Sequence, residues 1–423
     1  MTAHQAATER DRPALPVRLG RYAERWSRPV RGRARRSARG LRRPDDAPEG
    51  WDEDREIDHQ WRWSACYAPM VSLYLDQFGT ARACCQNTEH PLGSIARSTL
   101  REIWDGAPAA SLRRALERAD LGQGCEFCAW QVEESGAVGS FPRLYDGRPA
   151  GPRSHPRWPQ QLEFAVSNTC NLQCVMCNGD WSSAIRSRRE GREPLPSAYP
   201  ERFYEELVAF IPHLRHVTFT GGEPFLGTEP MRILELLATH GSSDLAVVVV
   251  TNATTFTPRV ERALRQVRPF VAVSLDGGTA EAYERIRVGA SFEGVLANLD
   301  RLSALCAEQG GRTNLTHCLM VDNWETFPEL LQLAEGRGLD VAINTVRFPE
   351  RHSLYHLPED QLHRVVDGLT SRTPEVEATV SGARLATWHR QLGALRGRGA
   401  GEGWPEALGR PPVPVAPPTR RAR

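Results

Sequence analysis

Cys170, Cys174 and Cys177 stand in a C-x-x-x-C-x-x-C run directly after the largely apolar stretch Leu162–Val166. Three thiolates within eight residues can be gathered by one loop around one small inorganic group. A cubane of four irons held by three protein thiolates keeps one iron free. An open metal position is where a ligand is bound and chemistry done, whereas sites with four protein ligands are structural or carry electrons. A structural zinc ion completed by a remote fourth ligand is the rival reading of the same spacing.

The surroundings of that loop are those of an ordinary globular protein. The chain has 423 residues, 40% hydrophobic and 25% charged, enough for a large core and a second module. No apolar run approaches the roughly 20 residues a membrane span needs, and Met1–Arg12 lacks the apolar core of a signal peptide. A cytoplasmic location is therefore expected, and ten cysteines in such a chain read as metal or redox ligands rather than disulfides. All 53 basic residues are arginine. With no lysine, a lysine Schiff base and a P-loop lysine are excluded, and pyridoxal-phosphate enzymes and P-loop NTPases with them. Thirteen arginines fall between Arg10 and Arg43 among Pro, Ala, Gly and Ser, so residues 1–50 are expected to be a disordered arm, as is a Pro/Arg-rich tail over 398–423.

Between these ends, 58–140 holds a second cysteine group. The Pro- and Gly-dense 141–160 reads as a linker, and 161–397 as the main domain. From Gln161 onward short apolar runs alternate with longer amphipathic ones, the pattern of βα units and a parallel sheet. Strands are expected at Leu162–Val166, His216–Thr220, Leu245–Thr251, Phe270–Leu275, Asn314–Val321 and Leu339–Val346. Helices are expected to begin near Pro200, Glu229, Pro258, Thr279, Asn323 and Pro358, several with Pro in the first turn. Six units imply an α/β partial barrel with its working residues at the carboxyl ends of the strands.

Those ends carry the remaining motifs. Strand 2 closes in Thr220-Gly221-Gly222-Glu223-Pro224, where two glycines let a backbone approach a ligand and Glu223 offers an acceptor. Strand 3 closes in Thr251-Asn252-Ala253, strand 4 in Ser274-Leu275-Asp276-Gly277. Together with the cysteine run, these motifs resemble the radical SAM superfamily, over roughly Cys66 to Pro358. The resemblance implies a partial (β/α)6 TIM-like barrel and a [4Fe–4S] cluster on Cys170, Cys174 and Cys177. It also implies S-adenosylmethionine bound by Gly221, Gly222, Glu223 and Pro224 at its amino group. Met176 would lie near adenine, Asn252, Ser274 and Asp276 near the ribose or the carboxylate, and Arg287 would pair with the carboxylate. Arg287 is chosen over Arg285 because it precedes the Gly-x-Ser-Phe segment, and a planar guanidinium suits a carboxylate. Met176 departs from the aromatic more common there; ordinary loop packing is its alternative.

The stretches Cys66–Cys85, Leu92–Gly106 and Leu112–Cys128 resemble the Twitch module, a shortened SPASM domain, placed ahead of the barrel. That resemblance implies an auxiliary [4Fe–4S] cluster on Cys66, Cys84, Cys125 and Cys128, with Cys85 the uncertain neighbour of Cys84. Four thiolates would close its coordination and confine it to electron transfer or to shaping the pocket. A four-cysteine zinc site is the alternative on spacing. Cys306 and Cys318 read as core residues.

The family implies reductive cleavage of S-adenosylmethionine to a 5′-deoxyadenosyl radical that takes a hydrogen atom from a peptide or small-metabolite substrate, in natural-product biosynthesis. An external one-electron reductant such as flavodoxin or ferredoxin is the expected partner. The same chemistry as a dehydrogenase or epimerase of a sugar or small metabolite is the second reading. A non-catalytic iron–sulfur protein using its arginine arm on nucleic acid or a partner is the third. Neither a membrane nor nucleic acid is expected as the main partner. No residue identifies a catalytic base; Asp276 and His352 stand at or beyond strand ends.

Overall fold

The computed structural model describes residues 64–129, 141–146, 157–346 and 348–399. The arm expected over 1–50, residues 147–156 of the expected linker and residues 400–423 of the expected tail lie outside them. The helix that closes the described chain runs to Gly399, past the expected domain end at 397.

The cysteine-rich module opens with a one-turn helix, α1 (Ala68–Val71), and then β1 (Ser72–Asp76), β2 (Thr80–Arg82) and β3 (Gly93–Ser94). The β1–β2 turn is set by Asp76, whose Oδ1 accepts from the N–H groups of Phe78 (2.9 Å) and Thr80 (2.8 Å) while Oδ2 pairs with Arg82 at 2.7 Å. Helices α2 (Leu100–Asp105) and α3 (Ala107–Glu117) follow, α2 opened by a Thr99–Glu102 capping box. Part of the expected linker, Phe141–Tyr145, is a 3₁₀ turn.

The βα alternation follows: β4 (Gln161–Ala165), α4 (Ser183–Arg188), α5 (Glu201–Phe210), β5 (His216–Phe219), α6 (Thr228–His240), β6 (Ala246–Thr251), α7 (Pro258–Leu264) and β7 (Arg268–Ser274). Then come α8 (Ala280–Ile286), α9 (Phe292–Glu308), β8 (Arg312–Leu319), α10 (Phe327–Gly336), β9 (Val341–Thr345), α11 (Glu359–Thr379) and α12 (Gly382–Gly399). All six expected strands form. Most expected helix starts fall at a cap: Pro200, Thr279 and Pro358 precede their helices, and Pro258 opens one.

One sheet runs through both modules in the order β3-β2-β1-β4-β5-β6-β7-β8-β9, and every pair from β1 to β9 along it is parallel. The expected boundary at 141–160 thus does not interrupt the ladder: Leu73 pairs with Leu162 and Tyr74 with Glu163. One hydrophobic cluster spans both sides, from Ala65 to Leu395. Alternation along the strands divides the two faces. Leu73, Leu162, Val217 and Val247 form one row at 0% exposure on the outer face, where α9 packs over β7 and β8. The next row, Tyr74, Glu163, Thr218, Val248 and Phe270, lies on the inner face of the partial barrel. The α11–α12 hairpin covers α10 and the β9 edge through stacked rings, Trp388 on Phe327 at 5.5 Å and Phe327 on His317 at 5.7 Å.

Candidate functional site: two cysteine pockets on one sheet

The three-cysteine loop leaves β4 and is closed by backbone bonds to its surroundings. Ser182 caps α4 through the Ile185 N–H and donates to the Leu172 carbonyl at 2.7 Å; Ser183 meets both the N–H and the carbonyl of Cys170 at 3.1 Å. The N–H groups of Gln173 (2.9 Å) and Val175 (3.0 Å) donate to the carbonyls of Val288 and Ile286. Those acceptors lie at a break between two helices: α8 ends at Ile286, α9 starts at Phe292, and Arg287 occupies the break.

The glycines at the β5 tip approach this loop rather than open solvent. The Gly222 N–H donates to Ser167 O at 3.0 Å and the Glu223 N–H to Thr169 O at 2.7 Å. A Cβ on Gly222 would press into the Thr169 carbonyl and lie 2.8 Å from the Asn168 carbonyl carbon, while Gly221 has φ +98°. The two glycines, expected to free space for a ligand, first make room for the cysteine loop.

Glu223 is 1% exposed. Its Oε1 accepts from Thr251 Oγ1 (2.8 Å) and the Phe225 N–H (3.1 Å), and Oε2 from the Asn252 N–H (2.7 Å). The carboxylate thereby ties the β5 tip to the β6 tip and keeps one acceptor position, on Oε2, out of roughly four. Burial raises its pKa against these bonds and the Arg287 charge. Asn252 reaches back to Asn171 Oδ1 (3.1 Å) and Cys170 Sγ (3.8 Å), and buried Ala253 beside it holds φ +54°, a conformation non-glycine residues rarely adopt. Pro224 is buried and Ser274 Oγ accepts from Thr316 at 3.2 Å.

Asp276 and Arg287, read from sequence as separate cofactor contacts, pair with each other. Arg287 Nε and Nη2 both lie 2.7 Å from Asp276 Oδ2, and Oδ1 accepts from the Cys318 N–H at 2.7 Å. Asp276 is 0% exposed, which removes it as a freely exchanging base. The Arg287 charge lies close enough to Cys174 to oppose the effect of burial on that thiol. His352, the other base considered, holds Asp322 Oδ2 on its Nδ1 at 2.6 Å. Met176 packs with Ile286, Met320 and Val346, joined by half-buried Cys318. Cys306 is in the core as expected, whereas Cys318 lies beside the site.

The second group lines a pocket, with Cys66, Cys84, Cys125 and Cys128 standing together with Tyr145 and Asn87 in its wall. Cys85 is not in the lining. Asn87 bridges the two halves, donating to Gln123 O at 2.8 Å and to Cys125 Sγ at 3.4 Å.

Burial raises the pKa of Cys84, Cys125, Cys128, Cys170, Cys174 and Cys177, Cys170 to about 11 and Cys177 to about 12. Metal-free, these would be neutral thiols packed together. Soft donors gathered three and four at a time, with amide N–H donors on Cys66, Cys125 and Cys170, suit iron–sulfur clusters, whose irons take thiolate ligands and so offset the burial. Among the described residues no three His, Cys, Asp or Glu converge on a point that would hold a single metal ion.

Residues 164–334 match the family model described as the radical SAM superfamily, and residues 66–129 the SPASM model, an iron–sulfur cluster-binding domain. The chain carries a radical SAM domain with a SPASM domain ahead of it. The SPASM match begins at Cys66 and takes in Cys84, Cys125 and Cys128. These domains imply [4Fe–4S] clusters and S-adenosylmethionine, which the donor sets fit. Curated relatives include the AdoMet-dependent heme synthase of Methanosarcina barkeri, 28% identical over 34% of this chain and 39% of that protein. The mycofactocin maturase MftC of Mycobacterium tuberculosis is 27% identical over 56% of this chain and 59% of that protein. The chain thus spans about two to three fifths of the length of these relatives. Among solved structures, Streptococcus suis SuiB bound to precursor peptide SuiA aligns with 77% of this chain and 74% of its own, at 14% identity and TM-score 0.38.

No helix among the described residues is long and apolar enough to cross a membrane. Sequence reasoning missed Glu163, on β4 between the two cysteine groups; its position on the inner face, two residues from Ala165 at the strand end, was the available signal.

Proposed function

We propose that this chain is a cytoplasmic radical SAM oxidoreductase or maturase that removes a hydrogen atom from a peptide or small-metabolite substrate. Bound there, a [4Fe–4S] cluster and S-adenosylmethionine supply, on one-electron reduction, a 5′-deoxyadenosyl radical. The chain's residues hold and screen. Cys170, Cys174 and Cys177 ligate the catalytic cluster, and the closed loop around them keeps their spacing. The remaining acceptor position of Glu223 takes the cofactor ammonium, assisted by Gly221, Gly222 and Pro224. Met176, Asn252 and Ser274 bound the rest of the cofactor. Arg287, with Asp276 fixing its planar group, places positive charge beside Cys174 and the cofactor carboxylate. Cys66, Cys84, Cys125 and Cys128 hold the auxiliary cluster, and an external donor such as flavodoxin or ferredoxin supplies the electron. The domains are proposed as 58–140 for the auxiliary module and 161–397 for the barrel, sharing one sheet.

The observation that carries this reading is the three-thiol loop clamped against Gly222 and Glu223 at the mouth of a parallel sheet. A peptide substrate is favoured by the similarity to a protein named as a maturase. The test is anaerobic reconstitution followed by dithionite and S-adenosylmethionine. Expected are two clusters per chain, and release of 5′-deoxyadenosine without added substrate. Replacing Cys170, Cys174 and Cys177 by Ala should leave one cluster and no release. Zinc instead of iron in that variant, or no 5′-deoxyadenosine from the parent, would overturn the reading.

A further inference from the structure

Four acidic side chains stand on the inner face or the strand tips of this site, and three are held by several donors or an arginine. Asp76 is paired with Arg82, Glu223 accepts from three donors, and Asp276 is locked to Arg287. The fourth, Glu163, has no ion-pair partner among the described residues, and it accepts one long hydrogen bond, from Thr220 Oγ1 at 3.4 Å. Its register sets it on the inner face between Tyr74 of β1 and Thr218 of β5, partly exposed. β4 is also where the cysteine module joins the barrel: the three-cysteine loop leaves its end, and β1 on its other side leads through β2 to Cys84.

We propose that Glu163 is the proton acceptor of the barrel floor, facing a substrate group that donates a hydrogen bond, a hydroxyl or an amine. In the transfer the donor's X–H bond breaks, an O–H bond forms on Glu163, and the electron pair stays on X. This rests on the reading of the barrel as the substrate site. A base must meet the proton it takes and must be free to release it. Glu163 alone among the four carboxylates satisfies both.

The titratable groups facing it favour that role. Tyr74 and, from the module, Cys85 and Tyr145 interact with its charge, as does Cys84, a proposed cluster ligand; Arg82 lies 5.9 Å from the Tyr74 ring and is taken by Asp76. Burial raises the Glu163 pKa from the ordinary carboxylate range to about 7, with the Thr220 bond acting against it. Near neutral pH both forms are then populated, the condition for efficient proton exchange. A carboxylate in acidic surroundings also selects its ligand: a cation or a donor is favoured there, an anion is not.

The test is isotope-edited infrared spectroscopy of the reconstituted full chain with labelled glutamate, read across pH, with ethylammonium chloride as the probe. The parent should show a protonated carboxyl band lost as pH rises through about 7. The band should be absent in Glu163→Gln and shifted in Thr220→Val. Ethylammonium should lower its midpoint, and sodium chloride at the same concentration should not. A band that titrates in the ordinary carboxylate range, survives in Glu163→Gln or ignores ethylammonium overturns the proposal. Absence of 5′-deoxyadenosine from the parent would instead sink the radical reading of the barrel.

Discussion

Replacing Glu223 separates its structural work from its ligand work. In Glu223→Ala the N–H groups of Asn252 and Phe225 lose their acceptor inside a site where the carboxylate is 1% exposed, and the Thr251 hydroxyl must turn elsewhere. Each stranded backbone donor costs about 1–3 kcal/mol, so two give about 2–6 kcal/mol. Glu223→Gln has one acceptor oxygen. With that oxygen at the Oε1 position, its NH2 faces the Asn252 N–H; flipped, it faces the Phe225 N–H and the hydroxyl, which can accept. Either way one backbone donor is stranded, about 1–3 kcal/mol. The alanine variant should therefore lose about twice what the glutamine variant loses. The assay is urea unfolding of the metal-free chain by tryptophan fluorescence, comparing midpoints at unchanged slope. Both should also bind S-adenosylmethionine more weakly once reconstituted, because the charge-assisted bond to an ammonium is gone. Equal midpoints for the two variants, or parent-like midpoints with only cofactor binding lost, would refute the clamp and leave Glu223 as a ligand alone.

Gly222→Ala should displace the cysteine loop, since its Cβ meets the backbone of Asn168 and Thr169; iron analysis should find the auxiliary cluster retained and the other depleted. Arg287→Met strands the buried Asp276 charge and should cost about 3–5 kcal/mol in the same urea assay, while the Arg287→Met, Asp276→Leu double variant should recover most of it. Cys84→Ser should lose auxiliary-cluster absorbance and Cys85→Ser should keep it, because only Cys84 lines the pocket. Glu335 accepts from Arg384 and Ser381, which lowers its pKa to about 2 from 4.5. A depressed carboxylate stabilises above its unfolded value and loses that contribution as pH falls from 4.5 toward about 2. Protection of the α12 amides, taken relative to their intrinsic exchange, should accordingly fall over that window, and Glu335→Gln should remove that fall.

How much of this was legible in the chain follows from the range of each interaction. The six barrel strands and the caps at Thr279 and Pro358 could be read because alternation and capping are local, settled within a few residues. The cysteine loop could be read for the same reason: ligand spacing over eight residues is itself the geometry. The β1–β4 ladder could not, because it joins segments some ninety residues apart in register, and that pairing turns two expected domains into one sheet. Nor could the choice of Cys84 over Cys85, the break in the helix at Arg287, or its pairing with Asp276 rather than a free approach to a ligand. Glu163 shows the division most plainly. The sequence by itself determined a carboxylate on an inward position of a strand; only the tertiary structure, by pairing off Asp76, Glu223 and Asp276 and burying Glu163 with no ion-pair partner among the described residues, set this one apart and raised its pKa.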